Sequence, residues 1–144
     1  CTAGSHDLPT LKGYWQEADI ALRQELDLFP SEEFRQQQLQ YRCEEKRQLL
    51  KTLKELNLID EDSSADNYSE LFSAIQTFLA RSNSLFMMVQ LEDILSQTNQ
   101  INVPGTIDEY PNWRHKNSLN LEDWLTSSEL THFAQTITRE RVHS

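Results

Sequence analysis

Glycine and proline are scarce in this sequence: only 3 Gly and 4 Pro occur in 144 residues. Because these two residues are the strongest breakers of regular helix, most of the chain is free to form helices. Two helices are predicted at residues 8–29 and 31–56, separated by Pro30. Ser31 is a suitable N-cap for the second of them. The scarcity of Gly and Pro therefore predicts a mostly α-helical chain.

Four further segments have patterns that predict their structure. Apolar residues at 68–79 recur at helical spacing, which is the clearest helix prediction in the chain. Residues 85–91 form a short, continuous apolar run, typical of a strand buried on both faces. A β-like lead-in at residues 1–3 would be a second strand. A last helix within 120–144 is predicted to start at Thr126, which has capping-box spacing to a glutamate three residues later.

The chain is acidic, with a formal net charge of −10. Nucleic acids and anionic membranes require clustered Lys and Arg, so the composition argues against both as partners. The longest apolar run, at 85–89, is far shorter than the roughly 20 residues of a membrane-spanning helix. Cys1 and Cys43 are interpreted as reduced thiols of a cytoplasmic protein, and neither a metal site nor a cofactor is expected. A sequence that begins at Cys1 rather than Met is expected to be part of a longer protein.

The first candidate for a catalytic site is the pair His6–Asp7, which follows the β-like lead-in and precedes a helix. In a (β/α) barrel this position is the C-terminal end of a strand, where catalytic side chains are placed. An aspartate just ahead of a helix is, however, more often an N-cap. Spacing alone favours the capping interpretation of Asp7 and leaves the catalytic one open.

The second candidate is the run Asn-Val-Pro-Gly-Thr that begins at Asn102. Pro104 followed by Gly105 predicts a type II turn, since Gly accepts the positive φ of the third position. Asn102 and the exposed backbone of such a turn can hydrogen-bond sugar hydroxyls. Tyr110 and Trp113 have flat faces that can stack on a pyranose ring. Composition alone favours a plainer alternative, an ordered surface loop with its aromatic side chains in the core.

At these two motifs the sequence resembles the 4-alpha-glucanotransferases of glycoside hydrolase family 77. The ten residues from His6, His-Asp-Leu-Pro-Thr-Leu-Lys-Gly-Tyr-Trp, are similar to the segment that carries the family's third carboxylate. Gln-Leu-Glu-Asp at 90–93 is similar to a later signature. Asn-Val-Pro-Gly-Thr at 102–106, followed by Tyr-Pro-Asn-Trp-Arg-His-Lys at 110–116, is similar to a third. The three signatures occur in the family's order, with a helical insert between the first and the second.

The resemblance implies a fold class. The chain would be a mostly α-helical fragment, with one or two short strands, from the C-terminal part of a (β/α)8 TIM-barrel glycosidase. It would contain a helical insert and barrel helix at 31–81 and the last barrel strand at 85–91. A substrate loop would follow at 96–118, and a C-terminal helix at 120–144.

The resemblance also implies a function, the retaining transfer of α-1,4-glucan chains between maltooligosaccharides without a cofactor. It makes Asp7 the third carboxylate, which hydrogen-bonds sugar hydroxyls as the ring approaches its oxocarbenium-like state. His6 would contact the same sugar, Asn102 and Pro104 would line the acceptor side, and Gly105 would let the loop turn. The nucleophile and the acid/base lie upstream in the family. This chain alone is therefore expected to be inactive, and self-association of the fragment is left open.

Two other functions are compatible with the residues. The polar helix from Ser31 and the acidic charge suit a self-contained helical interaction module without a catalytic role. An amylase-type hydrolase would differ from a transferase in whether water or a sugar is the acceptor, which residue types do not show.

The helical prediction can be checked in solution. We expect the far-UV circular dichroism of this chain to show the double minimum typical of α-helix, because helical periodicity is dense and Gly and Pro are rare. A spectrum dominated by β-sheet would contradict the prediction.

Overall fold

The computed structural model describes residues 1–62 and 67–142, and helices dominate it. The α-helices are α1 (Leu11–Trp15), α2 (Ala18–Glu25), α3 (Glu32–Glu55), α4 (Tyr68–Ala80), α5 (Leu91–Ile94) and α6 (Ser128–Val142). A 3-10 helix, Leu121–Thr126, precedes α6. No β-strand occurs within the described ranges, so the expected fold class with one or two short strands is wrong. Residues 143 and 144 of the predicted C-terminal helix lie outside the described residues.

The expected strand at 85–91 is irregular chain that ends where α5 begins. Three of its apolar side chains face solvent rather than a core: Leu85 is 83% exposed, Phe86 75% and Met88 71%. Two backbone hydrogen bonds link it to the lead-in, because the Cys1 amine donates to the Phe86 carbonyl (2.6 Å) and the Met88 N–H donates to the Cys1 carbonyl (3.0 Å). A strand requires a ladder of such bonds along a neighbouring chain, and a single paired residue does not supply one.

Local signals placed the two central helices correctly. Ser31 is the N-cap of α3, where its hydroxyl accepts a hydrogen bond from the Phe34 N–H (3.2 Å). The helix predicted at 68–79 is confirmed as α4.

The outer helices depart from the prediction by small backbone changes. The helix expected at 8–29 is divided into α1 and α2 at Glu17, whose φ of 61° lies in the left-handed region and ends the first helix. The last helix starts after Ser127 instead of Thr126, since the Ser127 hydroxyl accepts from the Leu130 N–H (3.2 Å). Thr126 belongs to the 3-10 helix that precedes it.

The helices form a series of pairwise contacts, and α1, α3 and α4 surround one apolar cluster. α1 and α2 contact each other, α2 packs on α3, α3 on α4 and α4 on α6. The buried members of the cluster are Trp15, Leu53, Ile59, Leu71, Ala74 and Ile75. Among the described residues, no helix is long and apolar enough to cross a bilayer.

A buried ion pair attaches the long polar helix α3 to α2. Arg42, only 8% exposed, donates from both terminal nitrogens to the Asp19 carboxylate, each at 2.8 Å. The same guanidinium donates to the Tyr14 carbonyl (2.6 Å) and lies 3.7 Å from the centre of the Tyr14 ring. Planar, bidentate pairing of this kind satisfies a buried charge that would otherwise be costly. Polar contacts therefore hold α3 where its apolar stripe is thin.

A buried carboxylate, that of Asp93, fixes α1 relative to the later part of the chain. The Asp93 Oδ1 accepts a hydrogen bond from the Leu11 N–H (2.6 Å), and the Asp93 backbone carbonyl accepts one from the Tyr68 hydroxyl (3.2 Å). The pKa of Asp93 is raised from 3.8 to about 6, chiefly by burial; the Leu11 hydrogen bond opposes this shift and the nearby Glu92 charge adds to it. The side chain thus combines a structural hydrogen bond with a costly charge.

This pKa predicts how stability depends on pH. Between about pH 4 and pH 6, Asp93 keeps its proton in the folded chain but has lost it in the unfolded chain. The contribution of Asp93 to the free energy of unfolding therefore falls as pH rises through this window. Asp93→Asn keeps an acceptor oxygen for Leu11 and does not ionise. We expect the unfolding free energy of the variant to exceed that of the parent chain by about 1–3 kcal/mol, and this difference to increase from pH 4.5 to pH 7.

Urea unfolding of both proteins at the two pH values measures this gain. Asp60→Asn, the same change at an exposed loop position, is the matched control and should show no such gain. Parallel pH profiles of the Asp93 variant and the parent chain would contradict the assignment.

Candidate functional site

Asp7 lies in a turn before α1 and is not the cap of that helix. The Leu8 N–H donates to the Ser5 carbonyl (3.0 Å), which closes the turn. Thr10 is the N-cap, and its hydroxyl accepts from the Gly13 N–H (3.0 Å). The capping interpretation of Asp7 is therefore wrong, and its carboxylate, with the side chain 51% exposed, is available to a ligand.

The structure brings three of the five predicted site residues together. The Asn102 side-chain amide donates to Asp7 Oδ1 at 2.7 Å, although the two residues are 95 positions apart in sequence. His6 Nε2 lies 3.3 Å from Asp7 Oδ2. A half-exposed carboxylate thus accepts a hydrogen bond from Asn102 at Oδ1 and has the His6 imidazole beside Oδ2.

The other two predicted residues form a turn next to this cluster. The Thr106 N–H donates to the Val103 carbonyl (3.2 Å), and Gly105 has the positive φ, 92°, that a type II turn requires. Pro104 and Gly105 are exposed at its tip. The turn is confirmed, whereas contact of Pro104 and Gly105 with a substrate stays a prediction.

Gln100 is a site component that the sequence analysis missed. It is 8% exposed, and its side-chain amide donates to the carbonyls of Asp7 (3.2 Å) and Asn102 (2.7 Å). The backbone carbonyl of Gln100 accepts a hydrogen bond from the Tyr110 hydroxyl (2.6 Å). Burial raises the pKa of this hydroxyl. Gln100 thereby fixes both segments of the cluster. Nothing in the sequence except its position two residues before Asn102 distinguishes it from the other glutamines.

The two aromatic residues of the loop have opposite environments. Tyr110 is 7% exposed and packs inside the loop, as the plainer alternative expected. Trp113 is 63% exposed and has a φ of 61°. Asn112, between them, accepts from the Val103 N–H (2.8 Å) and donates to the Thr106 hydroxyl (2.8 Å), so the turn is held from within.

The cluster is chemically suited to bind hydroxyl groups. A carboxylate accepts hydrogen bonds from hydroxyls, while an imidazole and a carboxamide both donate and accept. Within 1–62 and 67–142, no group of three or more His, Cys, Asp or Glu side chains is arranged to hold a metal ion.

Comparison of the sequence with known proteins finds the same family in each of the following matches. The sequence model of one family, described as 4-alpha-glucanotransferase, matches residues 1–120. A 4-alpha-glucanotransferase of Haemophilus influenzae is 37% identical over 120 residues, which is 80% of this chain and 17% of the relative. A 4-alpha-glucanotransferase of Mycobacterium bovis is 30% identical over 110 residues, or 76% of this chain and 15% of the relative. The chain thus spans about a sixth of the length of these relatives.

The fold comparison agrees with the sequence comparison. The crystal structure of amylomaltase from Corynebacterium glutamicum superposes with a TM-score of 0.77 at 26% identity, covering 94% of this chain and 21% of that one. The match of the family model to most of the sequence, together with this superposition, shows that the chain belongs to the 4-alpha-glucanotransferase family.

Proposed function

We propose that this chain is part of an enzyme that transfers α-1,4-glucan chains between maltooligosaccharides with retention of configuration. The observation that carries the proposal is the 2.7 Å hydrogen bond between Asn102 and Asp7, which joins the two family-like motifs in one half-exposed cluster. Transfer rather than hydrolysis follows from family membership, since the residues themselves do not select the acceptor. The alternative of an independent interaction module is set aside because the family model matches residues 1–120.

Asp7 is assigned the supporting role in this chemistry. Retaining transfer requires a carboxylate nucleophile and a carboxylic acid about 5 Å apart across the scissile bond. Asp7 has a histidine and an amide beside it instead of a second carboxylate. It would accept hydrogen bonds from sugar hydroxyls, and these strengthen as positive charge develops on the ring. The nucleophile and the acid/base would come from elsewhere in the longer protein.

The remaining residues complete the binding surface. His6 would hydrogen-bond the same sugar as Asp7, while Asn102 and Pro104 would line the acceptor side and Gly105 would shape the turn. The ligand is an α-1,4-glucan, with no cofactor in the reaction. A cytoplasmic location and a (β/α)8 barrel around the site are the family's implications for the whole protein, and self-association of this piece stays open.

Substitution of Asp7 tests its role in a full-length family member that carries this segment. Asp7→Asn should lower kcat/KM for maltotriose disproportionation about a hundredfold or more, on the order of 3 kcal/mol, because transition-state contacts are lost. Asp27→Asn, the same change at an exposed position between α2 and α3, is the matched control and should leave kcat/KM unchanged. Near-normal turnover by the Asp7 variant would reduce Asp7 to a structural residue.

The chain alone should be inactive. Without a facing pair of carboxyl groups no covalent glucosyl intermediate forms, and the hydrogen bonds of Asp7 then have no transition state to stabilise. We expect no glucose or longer maltodextrins from purified chain incubated with maltotriose, and only weak maltooligosaccharide binding. A full-length family member serves as the positive control. Product formation that survives repurification from host enzymes would overturn the assignment of roles.

A further inference from the structure

Trp113 has an unusual conformation for a large side chain. Its φ of 61° lies in the left-handed region, which is costly for residues other than glycine, asparagine and aspartate. A hydrogen bond from its N–H to the Ile101 carbonyl (3.0 Å) holds it there. Such strained positions concentrate at functional sites, where the surrounding structure imposes them. Despite this constraint, the indole is not packed into the core but is 63% exposed.

The strained backbone places the indole beside the Asp7 cluster. The ring centres of Trp113 and His6 lie 5.0 Å apart at an angle of 46°, and His6 in turn contacts Asp7 at 3.3 Å. Trp113 therefore extends the exposed surface of the Asp7 cluster on the side of His6. The other aromatic residue of the loop, Tyr110, is buried with its hydroxyl bonded to Gln100, so core packing of the loop does not require Trp113.

Trp113 also lines a cleft of about 250 Å³ whose other lining residues, apart from Ile101, have polar or charged side chains. The hydrogen-bonding side chains of this cleft are those of Glu92, Gln97, Asn99, His115, Lys116 and Asn117. Gln97 donates to Asn117 at 3.0 Å, so two of these amides fix each other. An exposed aromatic face next to amide, carboxylate and ammonium groups is suited to a sugar. The apolar C–H face of the pyranose ring can pack on the indole, and the equatorial hydroxyls can reach donors and acceptors.

We propose that Trp113 and this polar cleft form a further glucosyl-binding subsite, next to the subsite of Asp7, His6 and Asn102. The proposal rests on the proposed function, because it takes an α-1,4-glucan as the ligand that spans both subsites. Continuity through His6 supports it, since a chain bound at Asp7 would leave that cluster over the exposed indole.

A maltoheptaose titration of the ¹⁵N-labelled chain, followed by NMR, tests this subsite and reports millimolar binding. The chain has three tryptophans, so it gives three indole N–H signals, and Trp113→Phe identifies one by its loss. We expect the Trp113 signal to shift and saturate, while the signals of buried Trp15 and of Trp124 in the 3-10 helix stay in place. Trp113→Ala should weaken binding about three- to tenfold, Trp113→Phe less, and the control Trp124→Phe not at all.

The outcomes separate the subsite from the proposed function. Shifts at His6, Asp7 and Asn102 without a shift at Trp113, or equal affinity in Trp113→Ala with unchanged circular dichroism, would overturn the subsite and leave the proposed function standing. No shift at any of these four residues at the highest sugar concentration would overturn the subsite, whereas the proposed function is tested separately by Asp7→Asn in the full-length enzyme. An equal Trp113 shift with cellotetraose would overturn the α-1,4 assignment, because stacking without selection for linkage is not a subsite of this enzyme.

Discussion

The buried carboxylate of Asp93 is the contact on which the arrangement of the site depends. The carboxylate accepts from the Leu11 N–H and so fixes the first turn of α1, while the backbone carbonyl of Asp93 accepts from the Tyr68 hydroxyl of α4. The same side of α1 approaches the later loop so closely that a Cβ on Gly13 would lie 2.8 Å from the Thr98 carbonyl oxygen. Because Asp7 lies shortly before α1 and Asn102 follows this loop, both contacts help to bring the two residues within the 2.7 Å of their hydrogen bond.

The rest of the helical scaffold is attached by a different kind of interaction. α3 buries little apolar surface along most of its length, and the bidentate pairing of Arg42 with Asp19 compensates for that. Removing one partner would leave the other charge buried without compensation, which is far more costly than losing an exposed ion pair. α3 therefore depends on one orientation relative to α2, while most of its surface remains free to vary without affecting the cluster at Asp7.

Local chemistry was predictable from the sequence and tertiary environment was not. Ser31 and Gly105 act through their own backbone neighbourhoods, so the start of α3 and the turn could be identified from residue types. The segment at 85–91 has a composition typical of a strand, but a strand also requires neighbouring chain, and composition does not show whether any is present. Similarly, Tyr110 and Trp113 look alike in sequence, and only the fold determines that one is buried and the other exposed.

The separation of 95 positions between Asp7 and Asn102 has a consequence for the order in which the site is assembled during synthesis. Translation at about 5–20 residues per second leaves Asp7 without its partner for on the order of ten seconds, during which α1 to α4 can already form. Local helices nucleate without waiting for distant chain, whereas closing so long a loop must await the emergence of Asn102 from the ribosome. The carboxylate cluster is thus completed late in biosynthesis, after the helices that support it.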